Sequence, residues 1–187
     1  MKSNKILASA ELKSSSFYEV VPFEYISSLP VFEVTIQGEN YRFIFDTGGY
    51  TVFSDKLTSR LSGIRKSSYI DVKDGNGTVS RIDTYELNQL EIGGISFSDV
   101  GFANIGFTES EWFQCLGLDG TIGPNIMKEA FWQFDSKTQR ITLTDNKDNL
   151  EIASNGLKIP IYTDNVFKPS IDLRIGNYSK CRCLAGY

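Results

Sequence analysis

"YRFIFDTGGY", Tyr41 to Tyr50, is the stretch on which the reading of this chain turns. Tyr41, Phe43 and Phe45 alternate with Arg42 and Ile44, the period-two pattern of a strand with one buried face. At its end an aspartate, a threonine and two glycines stand where the strand must turn. These are ordinary turn residues. They also suit a carboxylate held on a rigid loop.

The flanking sequence supplies the frame. Upstream, "LPVFEVTIQGEN" puts Phe32, Val34 and Ile36 on one face and ends in a Gly-containing turn, so the two runs form a hairpin whose second strand stops at Asp46. Downstream, Ser54 is placed to cap a short helix in which Leu57 and Leu61 share a face and which Gly63 ends. The run from Tyr69 to Phe107 reads as antiparallel sheet, with glycine turns at "DGNG" and "IGG". Next, Thr121 and Ile122 lie between Gly120 and Gly123, and Pro124 opens a short helix at a position where a missing N–H costs nothing. "FWQFD" and "RITLT" then make a hairpin around "SKTQ".

Bulk properties narrow the chemistry. At 187 residues and 41% hydrophobic, the chain is long enough for one main domain and the start of another. A formal charge of -4 with scattered Lys and Arg lacks the footprint of a nucleic-acid or anionic-membrane binder. The chain has 0 histidines, which removes Ser-His-Asp and Cys-His nucleophile machinery and His-containing zinc sites. Acid-base chemistry must rest on carboxylates, Lys, Tyr or Cys. Three cysteines, Cys115, Cys181 and Cys183, are too few for a disulfide framework. No apolar stretch reaches membrane-spanning length, and the apolar run near Met1 is too short for an export signal, so a soluble chain is expected, its compartment open.

Taken together, the hairpin ending in Asp-Thr-Gly-Gly and the later "LDGTIGPNIMKEAFWQFDSKTQRITL" resemble a retropepsin-like aspartic peptidase lobe of the gag-polyprotein type, from about Leu29 to Asp145. The resemblance implies an all-β, closed or partly closed barrel with one or two short helices. It implies that Asp46 is catalytic, that Thr47, Gly48 and Gly49 form the active-site loop, and that Thr121, Ile122 and Gly123 support it from beneath. The hairpin around Asp74, Gly75, Asn76 and Gly77 is the candidate for the flap that closes over an extended peptide. No cofactor or metal is implied, because two carboxylates that share one proton can activate water unaided. Gly49 departs from the family's Ala or Ser, which implies a looser loop.

A dyad needs two aspartates, and this chain has one Asp-Thr-Gly. The second comes either from an identical subunit in a twofold dimer or from a second lobe. The tail bears on that choice: "PSIDLRIGNYSKCRCLAGY" from Pro169 aligns with the opening hairpin from Pro30 and brings Leu184, which cannot ionise, to the place of the aspartate. The expected division is a lead-in over 1–28, a peptidase lobe over 29–147, and over 148–187 a linker with the truncated start of a second lobe. A plain terminal hairpin added to an edge of the first lobe or its partner is the other reading of the tail. The expected function is aspartic endopeptidase acting on a peptide or protein substrate; the alternative is a non-catalytic peptide-binding or assembly lobe of the same fold.

Overall fold

The computed structural model describes residues 2–73, 77–104, 106, 115–174 and 181–184. In chain order the elements are α1 (Lys2–Leu7), β1 (Glu11–Leu12), β2 (Tyr18–Ile26), β3 (Leu29–Ile36), β4 (Glu39–Phe45), β5 (Val52–Phe53), α2 (Asp55–Thr58), β6 (Arg65–Lys73), β7 (Val79–Ile92), β8 (Ile95–Asn104), β9 (Gly120–Ile122), α3 (Pro124–Met127), β10 (Phe131–Asp135), β11 (Arg140–Thr144), β12 (Tyr162–Thr163), β13 (Pro169–Leu173) and β14 (Cys181–Leu184). The fold is all-β with short helices, as the sequence pattern requires. None of the described helices is long and apolar enough to cross a membrane.

Local chemistry sets the turns. Gln37 and Gly38 join β3 to β4 with φ of 54° and 83°, the left-handed pair whose twist matches a two-residue hairpin. The Ser54 side chain accepts from the Leu57 N–H at 3.2 Å and so caps α2. Pro124 opens α3 at its first position.

Among the described residues one sheet runs β10-β11-β2-β3-β4-β9-β5-β8-β7-β6, with β1 paired to β8. A further pairing of Thr35 with Glu91 joins β3 to β7. That contact closes a ring through β3, β4, β9, β5, β8 and β7, which makes the sheet a partly closed barrel. Phe43, Phe53, Phe97 and Phe102 fill its interior, all fully buried. Phe53 is stacked on Phe102 with ring centroids 4.1 Å apart and meets Phe43 edge-on at 5.3 Å.

Two expectations about the ends need correcting. Residues 1–28 do more than lead in: Val21 and Phe23 of β2 are buried, and β2 pairs with both β3 and β11. Pro22 interrupts this run, and a proline argues against strand when the sequence is read alone. At the other end, β12, β13 and β14 form a separate three-stranded sheet, so among the described residues the tail adds no strand to the barrel. Its hairpin pairs Ile171 with Cys183, whereas Phe32, the residue aligned with Ile171, pairs with Phe43 in the first hairpin.

Phe53→Ala empties the centre of the aromatic stack. It should destabilise the fold by about 3–5 kcal/mol, read as a lower urea midpoint at unchanged slope.

Candidate active site

The site is built where β4 ends. β4 and β9 run parallel, with Phe43, Ile44 and Phe45 opposite Gly120, Thr121 and Ile122. β5 lies antiparallel on the other side of β9. The Asp46–Gly49 loop connects β4 to the loop leading into β5, so both of its ends are anchored to β9. The Asp46 N–H continues the ladder by donating to the Ile122 carbonyl at 3.0 Å. Ile122 is fully buried at the loop's root.

Asp46 itself is half-buried. Its Oδ1 accepts from the backbone N–H groups of Gly48 and Gly49, each at 3.0 Å. The carboxylate therefore sits in a cradle made by its own loop, and charge-assisted bonds of this kind are the strong ones. A side chain at Gly49 would begin 2.2 Å from Asp46 Oδ2. The space left by the missing methyl is thus filled by the carboxylate, and the loop is not slack at this point.

Thr121, Ile122 and Gly123 lie against the loop and the segment that follows it. Thr121 Oγ1 donates to the Tyr50 carbonyl at 2.8 Å. A Cβ on Gly123 would come 2.4 Å from the Thr51 nitrogen, so only glycine permits this approach. Thr47 and Gly48 are half-buried in the same loop. β6 and β7 pair as the expected hairpin. Of its tip, Gly77 has φ of 90°, while Asp74, Gly75 and Asn76 lie outside the described residues.

Sequence reading missed the residues that lock the loop. Thr51, fully buried, donates from Oγ1 to Asn125 Oδ1 at 2.6 Å and accepts from the Gly123 N–H at 2.9 Å. Asn125 Nδ2 donates in turn to the carbonyls of Ser9 and Gly101, at 2.8 and 3.0 Å. The signal for Asn125 was present: an amide in the otherwise apolar "PNIM" must find partners once buried.

Two further residues border the loop. Lys168 Nζ lies 3.7 Å from the centroid of the Tyr50 ring. Burial holds the Lys168 ammonium below the usual lysine range, while Asp164 and Asp46 act in the opposite direction. Burial, aided by Asp164, pushes the Tyr50 hydroxyl above the ordinary phenol range. Among the described residues no cluster of three or more His, Cys, Asp or Glu could hold a metal ion.

The site is thus a half-buried aspartate cradled by glycine N–H groups, at the end of one strand and against a parallel neighbour. Residues 32–124 match the family model described as aspartyl protease. Comparison with curated proteins yields no match. Among solved structures the chain is similar to a retropepsin-like aspartic protease from Rickettsia conorii, at 13% identity over 72% of this chain and 92% of that one, with a TM-score of 0.46.

Asn125→Leu keeps the volume and removes both the acceptor of the Thr51 hydroxyl and the amide donor to the Ser9 and Gly101 carbonyls. Each buried group left unpaired should cost about 1–3 kcal/mol, and amide exchange at Gly48 and Gly49 should quicken in the same variant. Unchanged exchange at the loop would show that the network does not hold it.

Proposed function

We propose that this lobe is one half of an aspartic endopeptidase, with Asp46 supplying one of two carboxylates and a second lobe or subunit supplying the other. The observation that carries the reading is the Asp46 cradle: two backbone N–H groups fix Oδ1, which leaves Oδ2 as the oxygen that exchanges a proton. Two such carboxylates a few ångströms apart cannot both ionise, so they share one proton. The charged member takes a proton from a water as that water attacks the scissile carbonyl. The protonated member gives its proton to the carbonyl oxygen; as the tetrahedral intermediate collapses, the proton taken from water passes to the leaving nitrogen, the C–N bond breaks, and a hydroxyl proton returns to the carboxylate pair. Neither step requires a covalent enzyme intermediate.

The remaining site residues take roles that follow from their places. Thr47, Gly48 and Gly49 shape the loop; Thr121, Ile122 and Gly123 fix it from below. The β6–β7 hairpin covers an extended peptide and excludes water. A peptide or protein is the substrate. The single Asp-Thr-Gly and the leucine at position 184 also support a second reading, a lobe that binds peptide without cutting it.

Asp46→Asn separates the two. The amide oxygen can accept the same two N–H bonds, so the fold and its melting temperature should hold, while turnover of a peptide library should fall by about 10²–10⁴-fold, the scale of lost acid-base catalysis. If subunits pair, excess Asp46→Asn chain should also poison the wild type. A wild type that binds peptides and cuts none would decide for the non-catalytic lobe. Activity should be greatest on the acid side of neutrality and fade as the second proton is lost.

A further inference from the structure

The chain from Glu151 to Asn165 is exposed throughout, and then Val166 is buried. That contrast marks a single docking point. Val166, only 6% exposed, belongs to an apolar cluster with Leu7, Val52, Ile70 and Ala103, against which Tyr50 and Val72 pack. Tyr50 and Val52 directly follow the Asp46 loop, and Ile70 and Val72 lie on β6 of the covering hairpin. The valine is therefore packed on residues from α1, the segment after the loop, the β6–β7 hairpin and β8.

The segment is also shaped in advance. Asp164 Oδ1 accepts from the N–H groups of Val166 and Lys168, both at 2.9 Å, and the Asp164 carbonyl accepts from the Phe167 N–H at 3.1 Å. Phe167 takes φ of 66°, an uncommon conformation for an aromatic residue. This turn points Val166 into the cluster and carries Lys168 across the Tyr50 ring, with the ring of Phe167 5.1 Å from Lys128 Nζ. The Tyr50 ring under Lys168 follows directly on the Asp46 loop.

We infer that Asp164–Lys168 is an internal occupant of the peptide cleft: Val166 takes the place of a substrate's apolar side chain, Lys168 sets a positive charge beside the Asp46 loop, and the chain restrains its own site. The inference rests on the peptidase reading for its functional meaning, while the occupancy can be tested by binding alone. It also assigns a preference. The pocket bounded by Val52, Ile70 and Val72 accepts a branched aliphatic side chain.

The test uses the full chain with Val166→Asp, which expels the plug, and Lys168→Gln, which removes the charge from a half-buried side chain and leaves the apolar cluster intact. A fluorescein-labelled peptide of the sequence YTDNVFKPSI, residues 162–171 of this chain, is titrated into each protein by anisotropy, and turnover of a fluorogenic peptide library is followed in parallel. If the wild-type cleft is open for about a tenth of the time, the variants should bind the peptide about tenfold more tightly, because apparent affinity scales with the competent fraction. Their KM for library peptides with Val or Ile should fall in step. Equal binding by the wild type and both variants overturns the occupancy, whatever the turnover shows. Tighter binding by the variants without cleavage sustains the occupancy and removes the peptidase reading instead. Should Val166→Asp fail to fold, Lys168→Gln decides alone: unchanged affinity overturns the inference.

Discussion

The structure depends on one buried hydrogen-bond relay: Thr51 to Asn125, and Asn125 to the carbonyls of Ser9 and Gly101. Both side chains are fully or almost fully buried, so their polar groups have no water to fall back on. In surroundings of low dielectric a satisfied network is strong and a broken one is expensive. The relay ties four parts of the chain together. It holds the N-terminal segment after α1, the loop after Asp46, β8 and the start of α3 in one arrangement, and the Gly123 N–H adds β9 through the Thr51 hydroxyl.

Around this relay, close backbone approach does the rest. Gly101 lies so near the end of α1 that a Cβ would overlap the Ile6 carbonyl, and Gly120 and Gly123 sit against Val52 and Thr51 with no room for one. Glycine is needed here for proximity, not for an unusual backbone conformation. Parallel β4 and β9 can then deliver Asp46 and Gly123 to the same end of the barrel, while the aromatic stack of Phe43, Phe53 and Phe102 resists any sliding of the strands beneath.

Much of this architecture was legible because it is local. Alternation in Tyr41–Phe45, the Gly38 and Pro124 signals, and the Ser54 cap each act within a few residues, and strands β3, β4, β10 and β11 follow from them. β2 was hidden by Pro22, which weakens a strand reading although Val21 and Phe23 are buried around it. In the candidate site, Asp46 and Thr121–Gly123 were singled out through the family resemblance, and the structure brings them to one loop. Thr51 and Lys168 were not, since no periodicity announces them, and Asn125 announced only that it needed partners, which lie far away in sequence. Gly49 was read as a weakness in the loop; the three-dimensional arrangement makes it the vacancy into which the carboxylate fits.

The relay also fixes when the site can exist. Its bonds join residues 116, 74 and 24 positions apart, and contacts of long sequence separation form late because the intervening chain must first be ordered. A ribosome that has released only the segment up to β8 has already made Asp46, yet the groups that immobilise its loop arrive with Gly123 and Asn125. The carboxylate is thus chemically present well before it is held in place. Synthesis direction thus separates the making of the carboxylate from the fixing of its loop.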